Sequence, residues 1–197
     1  MSMALRARTG RHRQLYDDHL RLVAGCIPYK MKQFVEEDGG DLISRLEILM
    51  ISSPNRQDLV FPKGGWENDE TVGEAACREA LEEAGVRGII SEKELGEWKF
   101  RSKSRQESCC SSTEGTCKGY MFALEVTEEL DNWPEKSSHE RRWVSVRDAW
   151  RLCRYDWMRE ALAAFVRALS GDAALPSNEL SEPSSWCFTE RAIGTLC

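Results

Sequence analysis

Gly64-Gly-Trp-Glu-Asn-Asp-Glu70-Thr-Val-Gly-Glu-Ala-Ala-Cys-Arg78-Glu79-Ala-Leu-Glu82-Glu83-Ala-Gly85-Val86 is the stretch that decides how the rest of the chain is read. Thr71 suits a helix N-cap and Gly85 a C′ position, which predicts a helix over 72–84. At about 100° per residue, Glu79, Glu82 and Glu83 fall within about a 100° arc, and Cys77, Ala80, Leu81 and Ala84 fall opposite, toward a core. Three carboxylates on one face repel one another, and the Glu79/Glu83 pair alone costs a few tenths of a kcal/mol. A hard divalent cation reverses that balance, and carboxylate oxygens suit Mg²⁺ or Mn²⁺. Arg78 lies beside Glu82 on the same turn and is expected to hold that carboxylate in a fork of hydrogen bonds. The Gly64-Gly65 pair permits close backbone approach by a phosphate or a metal. A bare run of acids on a helix is more commonly a solvated face. Here the glycines, Glu70, Arg78 and Gly85 stand at fixed distances around it.

Working outward, residues 21–29 read as a strand ended by a proline, 46–51 as its returning partner across an acidic loop at 36–41, and 59–61 as a short strand stopped by Pro62. After the helix, 95–101, 118–126 and 142–146 read as strands. Residues 102–116 read as an exposed polar loop, and 147–169 carries helical periodicity through Trp150, Cys153, Trp157, Leu162 and Phe165. The pattern is mixed α/β of the α+β kind. Residues 1–16, with Arg6, Arg8, Arg11 and Arg13 and no acid, form a basic arm; 17–169 form the domain; 170–197 are too polar to bury a core and are expected to be disordered.

The chain has 197 residues, 27 Lys+Arg against 33 Asp+Glu, and a net charge of −6. An acidic total argues against bulk nucleic-acid binding, and the longest apolar run, at 161–166, is far short of a membrane span. The expected partner is a small polyanion, with no nucleic acid and no membrane, bound by a monomer. Eight cysteines without an apolar leader point to reduced thiols in a cytoplasmic setting, with the nucleus open by size. The Arg-rich, acid-poor start fits a mitochondrial leader as the alternative. Cys109, Cys110 and Cys117 cluster, but the three histidines (His12, His19, His139) are distant in sequence. A Ser/Cys-rich loop is therefore preferred to structural zinc; a redox switch rests on spacing alone.

The quoted stretch resembles the Nudix box, G-x5-E-x7-R-E-U-x-E-E-x-G-U with U aliphatic. Gly64, Glu70, Arg78, Glu79, Glu82, Glu83 and Gly85 occupy its fixed positions, and Ala80 and Val86 its U positions. The resemblance implies the Nudix fold, a mixed sheet sandwiched between helices, and metal-dependent hydrolysis of a diphosphate linked to another moiety. It implies Glu79, Glu83 and Glu82 as metal ligands, with Glu82, oriented by Arg78, activating water. Residues 21–26, 50–53, 61–67, 128–133 and 141–143 further resemble the diphosphoinositol polyphosphate phosphohydrolase branch, its plant members above all. That branch hydrolyses inositol pyrophosphates and long diadenosine polyphosphates such as the penta- and hexaphosphate. By position it implies Arg13 and Arg21 as phosphate-binding residues and Ser52 and Ser53 as substrate-contacting ones. Lys63 stands where animal members have glycine, and Pro54 where they have arginine. An acidic chain needs local cations to hold such an anion: with Arg13 and Arg21, the candidates are Lys63, Lys99, Arg101, Lys103, Arg105, Lys118, Arg141 and Arg142, beside the Gly64 backbone, with Lys99, Arg101 and Lys103 expected on one side of a strand. Other Nudix substrates (ADP-ribose, NADH, nucleoside triphosphates, RNA caps) are the alternative. A non-catalytic polyphosphate sensor is the reading from outside enzymology, and the complete carboxylate set argues against it.

Overall fold

The structure is a computed structural model, and it describes residues 6–32, 42–53, 56–101 and 115–171. Its centre is a mixed sheet built on two long strands, β2 (Leu20–Met31) and β7 (Thr116–Glu129), which run parallel from Arg21 opposite Cys117 to Tyr29 opposite Glu125. The other strand pairings among the described residues are antiparallel. β1 (Tyr16–Asp17) folds back on β2, β3 (Leu46–Ile51) pairs with the end of β2, and β4 (Lys63–Gly65) with its middle. β5 (Val86–Ile90) and β6 (Gly96–Arg101) both pair with β7, and β8 (Arg141–Ser145) closes the other edge on β3. The 22–28 stretch of β2 is continuously buried, as befits a strand covered on both faces.

Side-chain alternation along β2 assigns the two covers. Tyr29 meets Phe165 of helix α4 (Asp156–Ser170) at 5.0 Å between ring centroids, while Cys26 lies beside Cys77 and Glu83 of helix α2 (Val72–Ala84). Three residues apart, Tyr29 and Cys26 point to opposite faces, so the sheet is sandwiched between α2 and α4. Phe61, Met121, Leu124, Met158, Leu162 and Phe165 are among the large side chains almost wholly removed from water. Among the described residues there are also two short helices, α1 (Leu42–Arg45) and α3 (Val146–Leu152). Among the described residues no helix is long and apolar enough to cross a membrane.

Several expectations change. Residues 59–61 are buried but form isolated bridges, Ile51 with Val60 and Leu59 with Cys153, rather than a strand. Pro62 has no N–H to give a ladder; its carbonyl accepts from Cys26 N–H at 3.2 Å, and the regular pairing begins one residue later, in the Lys-Gly-Gly of β4. The helical periodicity of 147–169 resolves into α3 and α4. They are separated because Leu59 N–H donates to Leu152 O (2.9 Å) and Arg154 N–H donates to Leu59 O (3.2 Å), pulling 152–154 into a strand-like contact. Arg159 caps the carbonyls of Trp150 and Cys153 left over at that break. β5 is an element the sequence reading does not assign. The 36–41 loop, most of 102–116 with Lys103, Cys109 and Cys110, and the 172–197 tail lie outside the described residues.

Candidate active site

The helix α2 begins as read. Thr71 accepts from Glu74 N–H and Glu74 Oε2 accepts from Thr71 N–H, a reciprocal capping box. It ends at Gly85, which at φ 64° takes the left-handed turn that a Cβ would oppose both by strain and by collision with the Trp133 indole, 2.6 Å from where that carbon would sit. Between these ends, burial differs from expectation. Glu79 and Glu82 are 8 % and 6 % exposed, whereas Cys77 and Leu81, expected in the core, are half-buried. The cause is β4: its glycine backbone lies directly against the acidic face, and a Cβ on Gly64 would stand 2.2 Å from the Glu79 carboxylate.

Arg78 also has a different partner from the one expected. Its Nε and Nη2 donate to Glu70 Oε2 and Oε1 at 2.9 and 2.7 Å, Nη1 donates to Glu79 Oε1 at 2.6 Å, and Nη2 also reaches Gly65 O at 2.8 Å. Glu82 receives a marginal 3.5 Å contact. Glu70 wins because the loop presents it: Glu67 N–H donates to its carboxylate and Trp66 Nε1–H to its carbonyl. The guanidinium thus ties loop, β4 and helix together and leaves Glu82 comparatively unengaged. Glu83 accepts from Lys63 N–H at 2.8 Å, so Lys63 serves the site through its backbone as well as its charge.

Burial raises the carboxyl pKa of all three glutamates; at Glu79 the neighbouring Glu83 adds to it, and Arg78 offsets part. Carboxylates held this close and this dry, with oxygen atoms turned toward a glycine backbone, are the donor set a hard divalent ion requires, so the residues present fit such an ion. The described part of the N-terminal arm also touches the cluster. Arg8 N–H donates to Glu82 Oε1 at 3.2 Å, and the Arg8 guanidinium pairs with Glu67 and Asp69 at 2.7 and 3.0 Å. No signal in the sequence singles out Arg8.

The expected substrate contacts divide. Arg21 lies beside Gly65, its Nε bonded to Gln14. Arg13 is half exposed and paired with Asp69. Ser52 and buried Ser53 line an open cleft of about 580 Å³ with Arg56, Lys136 and His139. Arg101 is exposed at the end of β6, opposite Thr116. Arg142 is not brought to the helix: Arg141 reaches the carbonyls of Ala84 and Gly85 (3.3 and 3.1 Å), and alternation turns Arg142 to the other face of β8.

Residues 130–139 dock on the same helix end. Leu130 N–H donates to Gly85 O, Trp133 Nε1–H to Glu83 O and Glu135 N–H to Glu82 O, at 2.8, 3.2 and 3.0 Å. Docking brings Glu135 and His139 beside Glu83, with one ligand atom from each of the three within 4.8 Å of the others. Neither residue carries a sequence signal, because their nearness to Glu83 exists only once this segment has docked.

Comparison with known proteins gives a NUDIX domain match over residues 35–187. Nudix hydrolase 12, mitochondrial, of Arabidopsis thaliana is 57 % identical over 180 residues, covering 89 % of this chain and 87 % of the relative. Diphosphoinositol polyphosphate phosphohydrolase 3-alpha of Mus musculus is 30 % identical over 145 residues, covering 70 % of this chain and 81 % of the relative. Among solved structures, a binary complex of the Caenorhabditis elegans Ap4A hydrolase (C. elegans) superposes with a TM-score of 0.54 at 20 % identity, over 77 % of this chain and 98 % of that one, a likeness of fold.

Proposed function

The chain belongs to the NUDIX domain family and is a Nudix hydrolase, and we propose that it cleaves phosphoanhydride bonds in inositol pyrophosphates and long diadenosine polyphosphates. The observation that carries the chemistry is the gathering of buried Glu79 and Glu82 and half-buried Glu83 beside the Lys63-Gly64-Gly65 backbone. Glu79 and Glu83, with Glu82 adjoining, are the residues that would hold Mg²⁺ or Mn²⁺. Such an ion, when bound, supplies charge neutralisation at phosphate oxygens. Glu82, which receives only a 3.5 Å contact from Arg78, takes the proton from an attacking water whose oxygen bonds to phosphorus as the bridging anhydride oxygen departs. Arg78 is a positioning residue: its fork on Glu70 holds the loop and Glu79 in register.

Support for the inositol substrate comes from the Mus musculus relative's name, from Arg21 beside the Gly65 backbone, and from Ser52 and Ser53 in the cleft that His139 borders. The Arabidopsis relatives named mitochondrial, with the Arg-rich start of this chain, favour a mitochondrial location, which a fluorescent fusion of the full chain checks. The substrate assignment is tested by supplying an inositol pyrophosphate and diadenosine hexaphosphate side by side with Mg²⁺ and resolving products by anion exchange. Faster release of the inositol β-phosphate is expected. Preferential cleavage of the dinucleotide, or of ADP-ribose or NADH added as controls, overturns the inositol preference.

A further inference from the structure

His139 is oriented in the way metal-binding histidines are. Its Nδ1 stands 2.8 Å from the Ser52 carbonyl, an atom that accepts and never donates, so Nδ1 carries the proton. Nε2 is thereby turned away from the backbone, toward Glu135 Oε2 at 3.3 Å and the Glu83 carboxylate nearby. A backbone carbonyl fixing one ring nitrogen so that the other is presented is the outer-shell pattern of ligating imidazoles.

The electrostatics ask for a cation. Two carboxylates face one imidazole nitrogen, and the histidine side chain is 14 % exposed beside a half-exposed Glu135, so the group is reached from solvent on one side only through Glu135. Ligands about 2.1–2.2 Å from a shared ion sit about 3.1 Å apart when adjacent and 4.4 Å when opposite. The spacings present, 3.3 Å for one pair and none beyond 4.8 Å, need a few tenths of an ångström of adjustment. Glu135 and His139 are held for this by the docking of 130–139 on the helix end, through Glu135 N–H to Glu82 O and His139 N–H to Glu135 O, both 3.0 Å.

The geometry points to a second divalent-metal site, formed by His139 Nε2, Glu135 and Glu83, that takes a nitrogen-accepting ion of the Mn²⁺, Co²⁺ or Zn²⁺ class in preference to Mg²⁺. Mg²⁺ favours an all-oxygen, octahedral shell, whereas imidazole suits the later ions. The site shares Glu83 with the hydrolytic centre and rests on that reading only for the availability of this carboxylate. It also borders the cleft of Ser52, Ser53, Arg56 and Lys136, so an ion there would face a polyanion entering by that route.

The test uses the full-length protein and Mn²⁺ itself, read by pulsed electron paramagnetic resonance for coupling to an imidazole nitrogen. The wild type is expected to show that coupling, as is a variant carrying His12→Gln and His19→Gln. His139→Gln is expected to lose it with its circular dichroism unchanged. Glu135→Gln is expected to keep the helix and lower Mn²⁺ affinity about tenfold or more by calorimetry, with Mg²⁺ affinity little changed. Mn²⁺-loaded wild type without nitrogen coupling overturns the inference even if His139→Gln fails to fold, as does coupling that survives in a folded His139→Gln. Nitrogen coupling without turnover of any polyphosphate would instead count against the proposed hydrolysis while leaving this site standing.

Discussion

Replacing Glu79 with Gln removes a carboxyl that burial and the adjacent Glu83 push up from 4.5 to about 8 in the folded protein. Because the folded state binds this proton more tightly than the unfolded chain, the group's contribution to stability is fully present below about pH 4.5 and is lost as pH rises toward 8. At pH 7 the loss approaches 1.36 kcal/mol for each of about 2.5 pH units, roughly 3 kcal/mol. Gln keeps the volume and an oxygen for Arg78 Nη1, and Arg78 keeps its fork on Glu70. The metal-free variant is therefore expected to be more stable than wild type at pH 7, by up to about 6–12 °C in Tm for a chain of this size. The advantage should vanish near pH 4.5. A divalent ion at a hundred times its Kd returns about 2.7 kcal/mol to the wild type alone, so adding Mg²⁺ should close the gap. Thermal unfolding in EDTA at pH 4.5 and 7, then with Mg²⁺ at pH 7, measures all three. A variant less stable than wild type in EDTA at pH 7, or an equal difference at both pH values, would refute the reasoning.

Gly64→Ala places a Cβ 2.2 Å from the Glu79 carboxylate, so the acid must move; turnover is expected to fall about a hundredfold, with a stability cost of about 1–3 kcal/mol visible in urea titrations. Arg141→Ala strips the guanidinium from the carbonyls of Ala84 and Gly85 and from the face of Trp133, 4.6 Å away, and should cost about 1–3 kcal/mol by the same assay. Arg8→Ala removes a cation from beside Glu67, Asp69 and Glu70, and calorimetry should show Mg²⁺ binding a few-fold more tightly.

Local signals served the reading of α2 well. Its cap at Thr71, its stop at Gly85 and the spacing of Arg78, Glu79, Glu82 and Glu83 are all properties of one short stretch. A helical wheel gives angular neighbours within a helix and is blind to what packs against it. A wheel therefore pairs Arg78 with Glu82 rather than with Glu70 in the preceding loop, and it leaves the acidic face open where β4 covers it. β4 has no local signal because Lys-Gly-Gly lacks strand propensity; its pairing depends on β2 lying beside it. Arg141 and Arg142 are adjacent in sequence, and which of them faces α2 is set by the register of β8 on β3. Glu135 and His139 required the docking of a whole segment on the helix end, a tertiary event without a local pattern.

The central claim is metal-supported attack of water on a phosphoanhydride at the α2 glutamates. Its most direct measurement is phosphate release from an inositol pyrophosphate in ¹⁸O-water with Mg²⁺, for wild type and Glu82→Gln, resolved by mass and by ³¹P NMR. The account expects wild type to release ¹⁸O-labelled phosphate or its labelled partner, silenced by EDTA, and Glu82→Gln to be slower by about 10²–10⁴ with its fold intact. Release at the wild-type rate by Glu82→Gln, or undiminished release in EDTA, would contradict it.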